Sequence, residues 1–160
     1  MKPLILLLGS FVLLLLAGRL GVERLRDGFT PLRWALALMF LFTAVAHFAS
    51  PLRADLVRMV PPSFPSPELL VTFTGIFEIA GAIGLLVPRL ARAAAVALAL
   101  LLVAMFPANH YAATHALELG GAPVTPLIPR ALLQLVFLAA VLLAGFGRRA
   151  KAAPSTPDEP

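Results

Sequence analysis

The chain has 160 residues, of which 60% are hydrophobic and only 13% are charged. This composition excludes an ordinary soluble domain and is typical of an integral membrane protein built from helices. The absence of cysteine excludes a disulfide, a thiolate metal site and an iron–sulfur cluster within the chain. The net charge of +5 comes from an excess of lysine and arginine, which in a membrane protein orients the chain and favours contact with the lipid bilayer. No basic stretch is combined with stacking aromatics, so we exclude nucleic acid as a partner.

The N-terminal segment contains a short apolar run at residues 4–17. A run of this length is also compatible with the core of a cleaved signal peptide, but no clean small-residue cleavage pattern follows it. We therefore expect a retained first helix at residues 3–20, added to the helices that follow. Gly28 is expected to form the turn into the next segment.

Serine or threonine followed by proline marks the start of several later segments. The second span is predicted at residues 31–50, with Thr30 capping its first turn. A short amphipathic helix at the membrane interface is predicted at 52–60, because leucine or valine recurs there at every fourth position. The third span is predicted at 69–88, in a helix that Ser66 caps.

The fourth span is predicted at residues 91–108, with Pro107 kinking or ending it because proline cannot donate a backbone hydrogen bond. We expect the helix to continue past this kink as an amphipathic extension to about Leu119, where a glycine pair ends it. The fifth span is predicted at 130–146.

Together these segments predict an all-α, polytopic transmembrane bundle that forms a single domain at residues 1–150. Its four-helix core spans about 31–147, the N-terminal helix brings the number of transmembrane segments to about five, and a disordered cytoplasmic tail follows at 151–160.

Lysine and arginine are distributed nine to four between the two faces of this bundle. The richer face holds Arg19, Arg24, Arg26, Arg33, Arg89, Arg92, Arg148, Arg149 and Lys151. The poorer face holds Lys2, Arg53, Arg58 and Arg130. Because basic residues favour the cytoplasmic side, we expect the N-terminus outside and the C-terminus in the cytoplasm.

Glu78 is the most informative residue, because it is the only acid deep within a predicted span. An ionisable side chain at that depth is costly, so it normally faces the protein interior and has a partner. Thr74 precedes it by one helical turn and shares its face. We expect a largely uncharged Glu78 that forms a hydrogen bond toward His47 or Asn109.

Polar side chains recur in the outer half of every span after the first. The candidate ligand-binding residues are Thr43, His47, Thr74, Glu78, Asn109, His110 and Gln134. We predict that they form one polar column around a small headgroup, with Glu78 at the bottom and His47 near the mouth. A histidine and a carboxylate flanking a ligand can exchange protons with it, so His47 and Glu78 are the candidate catalytic residues.

Each of these residues also has a structural interpretation, in which it satisfies a helix end or joins helices. The sequence contains no HExxH, GxSxG, phosphate-binding-loop or GxGxxG motif, and we predict no metal site. Two histidines on separate helices can hold a haem, but both lie at helix ends here, which disfavours haem.

Several short sequence features follow one another in a fixed order between residues 33 and 146. They are His47, the proline-rich connector at 60–65, the TGIFE run at 74–78, Gly81, Gly84, Pro88 and the FPAN run at 106–109. In their order and spacing they resemble the DoxX-like family of small bacterial membrane proteins. The resemblance implies a four-helix core in the bacterial cytoplasmic membrane. It also implies a link to quinone-dependent or oxidative-stress redox complexes, with a quinone as ligand and a soluble or membrane redox partner.

Two functional hypotheses of different classes follow. The first is the membrane subunit of a quinone-linked redox complex that binds a headgroup in the polar column. The second is a non-catalytic membrane scaffold or partner-binding protein, in which the polar residues serve helix packing. The sequence leaves open whether the chain is itself an enzyme and which oligomeric state it adopts.

Overall fold

The computed structural model describes residues 2–147, and its elements are almost all helices. In chain order they are α1 (Lys2–Arg19), α2 (Phe29–Phe48), α3 (Leu52–Met59), α4 (Pro67–Leu86), α5 (Ala91–Ala104), α6 (Phe106–Thr114), β1 (Glu118–Leu119), β2 (Ala122–Pro123) and α7 (Leu127–Phe146). A single 3₁₀ turn, Glu23–Leu25, lies between α1 and α2. The tail expected at 151–160 lies outside the described residues.

Five helical segments are long and apolar enough to cross a membrane: α1, α2, α4, α7, and α5 together with α6. The prediction of an all-α transmembrane bundle is therefore confirmed. Helices α2, α4, α5 and α7 pack in a closed ring, with α4 between α2 and α5, and α7 between α5 and α2. Helix α1 packs against the outside of α2, as expected for an addition to a four-helix core.

The core lies inside this ring and is filled by apolar side chains from all four helices. Each helix contributes at least one side chain with almost no exposed surface: Leu36 and Phe40 of α2, Leu85 of α4, Leu98 of α5 and Val141 of α7. The outward-facing side chains are also large and apolar, which suits helices that contact lipid. The same composition therefore supplies both the core and the lipid-facing surface.

Small residues allow the helix backbones to approach closely. A Cβ atom added at Gly84 of α4 would lie 2.7 Å from the Cβ of Ala94 in α5, which no real pair of such atoms tolerates. Membrane helices gain little hydrophobic energy by leaving lipid, so this close packing contributes much of their association.

The predicted caps at the starts of α2 and α4 are wrong in detail. Helix α2 begins at Phe29, before Thr30. The carboxylate of Asp27 fills the capping role instead, accepting the backbone N–H of Thr30 at 2.7 Å and its hydroxyl at 2.9 Å. Ser66 does precede the first residue of α4, but its left-handed backbone (φ +48°) leaves its side chain without a capping hydrogen bond.

The region after Pro107 is helical, as predicted, but shorter. The break between α5 and α6 falls at Met105, which places Pro107 in the first turn of α6, where a missing N–H costs little. Helix α6 ends at Thr114 rather than near Leu119. The helix ends there because Ala116 adopts a left-handed backbone (φ +49°) and the Leu117 N–H donates to the Ala112 carbonyl at 3.1 Å. The glycine pair, Gly120–Gly121, has positive φ values of +63° and +73° and forms a hairpin turn between β1 and β2.

Candidate functional site

The interface between α2 and α4 contains the buried ionisable residues of the bundle interior. The two helices are antiparallel neighbours, because Thr43 of α2 bonds Glu78 in the middle of α4, whereas His47, one turn further along α2, bonds Val71 nearer the start of α4. Thr43 and His47 extend from α2, and Thr74 and Glu78 extend from α4. We call these four residues the α2–α4 cluster, and they are the part of the predicted column that the structure brings together.

Glu78 lies near the middle of α4, and only 4% of its surface is exposed. The hydroxyl of Thr43 donates a hydrogen bond to its Oε2 atom at 2.9 Å. Among residues 2–147, no hydrogen bond reaches the second oxygen, Oε1. One face of the carboxyl group is therefore anchored, and the other has unused hydrogen-bonding capacity.

The His47 ring lies against α4, with its Nδ1 atom next to Val71 and its Nε2 atom toward Glu78. Its Nδ1 atom lies 2.8 Å from the carbonyl oxygen of Val71. A carbonyl can only accept, so Nδ1 carries the proton and the neutral ring presents Nε2 as an acceptor. Nε2 lies 3.8 Å from Glu78 Oε2, which is too long for a direct hydrogen bond. His47 and Glu78 are thus adjacent, but the predicted hydrogen bond from Glu78 toward His47 or Asn109 is wrong, because the partner of Glu78 is Thr43.

Thr74 and Gly75 fix the position of the His47 ring from the α4 side. The Thr74 hydroxyl lies 3.1 Å from His47 Nδ1 and donates to the carbonyl of Leu70 at 2.9 Å. A Cβ atom added at Gly75 would lie 2.6 Å from His47 Cβ. The absence of a side chain at Gly75 is therefore what allows the histidine to lie against α4.

Arg53 of α3 also belongs to this region, a role that its position among the basic residues of one face does not predict. Its guanidinium donates to the His47 carbonyl oxygen at 2.6 Å, to the Thr72 hydroxyl at 3.0 Å and to the Glu68 carbonyl oxygen at 3.3 Å. The last carbonyls of a helix have no partner within the helix, and a nearby cation is one way to satisfy them. Arg53 thereby joins the end of α2 to the start of α4.

The remaining predicted site residues form a second group, on α6 and α7. Asn109 donates to Gln134 Oε1 at 3.2 Å and accepts from Arg130 Nε at 3.1 Å, while Gln134 donates to the Leu102 carbonyl at 2.8 Å. We call Asn109, Arg130 and Gln134 the α6–α7 cluster. No hydrogen bond among the described residues joins it to the α2–α4 cluster, because each group lies in its own helix–helix interface.

His110 belongs to neither cluster, so its expected place in the column is wrong. Successive residues of a helix point about 100° apart. Because Asn109 faces α7, His110 faces outward and is exposed, with its ring 6.5 Å from that of Phe106. Among residues 2–147, no three histidine, aspartate or glutamate side chains are arranged to hold a metal ion.

An open apolar groove of about 370 Å³ runs along the lipid-facing edge of the same α2–α4 interface. Its lining residues are Leu41, Ala44, Val45, Phe48, Ala49 and Ile79. Ala44 directly follows Thr43 in the chain, and Ile79 directly follows Glu78. The groove is thus at the depth of the α2–α4 cluster, although no polar residue lines it.

The end of the bundle where α2 ends and α4 begins is covered by α3 and the β1–β2 hairpin. Asp55 of α3 is buried and accepts the backbone N–H of Gly120 at 2.7 Å, with Arg58 as a second partner. The Gly120 hydrogen bond lowers the pKa of the Asp55 carboxyl, burial opposes this, and Arg58 adds to the lowering. This contact joins the interfacial helix to the hairpin.

The fold and the buried pair define a polytopic helical membrane protein with ionisable residues inside the bundle. Residues 36–146 match the family described as a domain of unknown function, DUF8561. This match covers more than half of the chain, so the chain belongs to that family. No curated protein and no solved structure matches it.

Proposed function

We propose that the chain is the membrane subunit of a quinone-linked redox complex, and that His47 and Glu78 bind a quinone headgroup and exchange protons with it. The observation that carries this proposal is the unused hydrogen-bonding capacity of the pair. His47 Nε2 and Glu78 Oε1 are side-chain atoms of buried residues, and neither has a hydrogen-bond partner among residues 2–147. Neither atom is fully enclosed, because Arg130 Nη1 is the one side-chain atom in this range that is both fully buried and without a partner, so a headgroup that enters between α2 and α4 can engage both.

The two side chains suit a ligand that alternates between carbonyl and hydroxyl oxygens. A protonated Glu78 can donate to a carbonyl oxygen, and the bare Nε2 of His47 can accept from a hydroxyl. Thr43 holds one carboxyl oxygen and the Val71 carbonyl holds the opposite edge of the imidazole, so both groups are oriented before a ligand arrives. The chain has no cysteine, so we assign electron transfer to the quinone and to a redox partner.

The apolar groove supports a ligand with a long hydrocarbon tail. It runs beside the α2–α4 cluster and opens toward the lipid. A headgroup engaged by His47 and Glu78 would need such a path for its tail. The resemblance of residues 33–146 to the DoxX-like family adds support for a quinone. With the same resemblance and the basic asymmetry, we place the protein in the bacterial cytoplasmic membrane with its N-terminus outside.

The test is replacement of Glu78 by glutamine, which keeps the shape and most hydrogen bonding while removing the titrating proton. We expect Glu78→Gln to fold normally and to abolish quinone-dependent activity or the oxidative-stress phenotype of a complemented deletion strain. Glu68→Gln is the matched control, because Glu68 lies in the first turn of the same helix and is exposed. Full activity in Glu78→Gln would refute proton exchange by this residue.

A scaffold or partner-binding protein is the alternative, and the packing of the cluster favours it. The Thr43 and Thr74 hydroxyls also contact carbonyls of their own helices, and Gly75 lies directly against His47. If the cluster serves packing, Glu78→Gln should leave folding and activity near normal. Glu78→Leu should then destabilise the bundle by about 1–3 kcal/mol, because it leaves polar partners unpaired.

A further inference from the structure

Arg130 has hydrogen-bonding capacity that the protein does not use. It is the fourth residue of α7, so it lies close to the end of a membrane-spanning helix, near the level of the lipid headgroups. Its Nε atom donates to Asn109 at 3.1 Å, and this is the guanidinium's only hydrogen bond among residues 2–147. The α6–α7 cluster thus positions the guanidinium without satisfying it.

The two terminal nitrogens of the Arg130 guanidinium have no hydrogen-bond partner among residues 2–147, and one of them is buried. Its Nη1 atom is buried without a hydrogen-bond partner, the one such side-chain atom in the described part of the chain. Nη2 is not buried in this way and keeps contact with the outside. A cationic donor in this position is costly unless an acceptor approaches along the Nη1–Nη2 edge.

We propose that Arg130 binds an oxyanion of the phosphate type, which reaches the accessible Nη2 atom first and, after a small rotation of the guanidinium frees Nη1 from its enclosed position, accepts parallel hydrogen bonds from both. The planar fork of arginine matches two oxygens of one tetrahedral anion, and such charge-assisted pairs are among the strongest hydrogen bonds in proteins. Asn109 is a positioning residue, because its Oδ1 atom accepts from Nε and fixes the plane of the fork. Gln134 holds Asn109 in turn and completes the support.

Two sources can supply this chemistry. One is the phosphodiester of an anionic lipid, since Arg130 lies near the headgroup level of the bilayer. The other is a soluble phosphate-like anion that arrives from the outer solution. The site uses none of the α2–α4 cluster, so this proposal does not depend on the quinone hypothesis.

The experiment uses the full chain purified in a non-ionic detergent with phosphatidylcholine. In the lipid arm, native mass spectrometry measures retention of phosphatidylglycerol. In the soluble arm, thermal stability is measured with inorganic phosphate against chloride at equal ionic strength. The variants are Arg130→Gln, Arg130→Lys and the matched control Arg58→Gln, which removes an equal charge whose side chain is 68% exposed.

We expect one arm to show binding to the wild type that weakens about tenfold or more in Arg130→Gln, as for loss of two charge-assisted hydrogen bonds. Arg130→Lys should restore only part of it, because an ammonium group cannot form the fork. Retention in the lipid arm identifies a lipid, and stabilisation in the soluble arm identifies a free anion. Binding in neither arm, or an equal loss in Arg58→Gln, would overturn the proposal. Arg130→Gln removes no satisfied interaction except the bond to Asn109, and its elution profile and circular dichroism check that it folds.

Discussion

Replacing Gly75 with alanine is the sharpest test of how the α2–α4 cluster is built. The added Cβ atom would lie 2.6 Å from His47 Cβ and 2.8 Å from the ring of Phe48. The Cβ of His47 cannot move without its backbone, so α2 and α4 must separate. Overpacking of this kind typically costs about 1–3 kcal/mol.

Gly9→Ala provides the matched control, because it makes the same chemical change in another membrane-spanning helix. Nothing lies within 4 Å of a Cβ atom added at Gly9. Both variants gain the same helix propensity, about 1 kcal/mol for glycine to alanine. The difference between them therefore isolates the steric term, and we expect Gly75→Ala to be the less stable by about 1–3 kcal/mol.

Reversible unfolding in mixed micelles, with increasing sodium dodecyl sulfate, measures this difference. Gly75→Ala should shift the unfolding midpoint to lower detergent fraction than the wild type, and Gly9→Ala should shift it slightly higher. Equal stability of the two variants would refute the close approach of α2 to α4 at His47, and with it the geometry of the site.

Three further predictions concern the end of the bundle that α3 and the β1–β2 hairpin cover, and the orientation of the bundle in the membrane. Because the pKa of Asp55 is lowered in the folded protein, its contribution to stability is complete above its ordinary pKa of about 3.9 and is lost as the pH falls through the lowered value. Hydrogen exchange at the Gly120 amide should accelerate in that acid range, and Asp55→Asn should remove the dependence. Arg53→Gln should lower the free energy of unfolding by about 1–3 kcal/mol by leaving its acceptors unpaired, whereas Arg58→Gln should have little effect. In this cysteine-free chain, an impermeant maleimide should label Ser63→Cys in intact cells and Arg89→Cys only after permeabilisation, and the reverse pattern would invert the proposed topology.

The five membrane-spanning segments were predictable because each is a long apolar run bounded by proline, glycine or charge. The C-terminal end of α6 was not predictable, because a glycine pair after a helical pattern is equally typical of a helix end and of a hairpin turn. The turn is chosen by contacts beyond the local pattern, including the bond from the Gly120 N–H to Asp55. Those two residues are far apart in the chain, so no local signal connects them.

The α2–α4 cluster was largely predictable, and the α6–α7 cluster only in part. Thr74 and Glu78 share a face by their spacing of four, and adjacent antiparallel helices then bring His47 close. The rotation of α6 after Met105 decides that Asn109 faces inward and His110 outward, and a run of polar residues does not encode that rotation. Arg53 was missed because its contacts depend on how the connector folds back over the end of α2.

Native mass spectrometry of the protein purified in mild detergent from quinone-producing cells tests the central proposal most directly. If His47 and Glu78 bind a quinone headgroup, the wild-type chain should retain a quinone, Glu78→Gln should retain it in part, and a folded Glu78→Leu should lose it, while Glu68→Gln retains it fully. A wild-type chain that carries no quinone, or a Glu78→Leu variant that carries as much as the wild type, would contradict the proposed site.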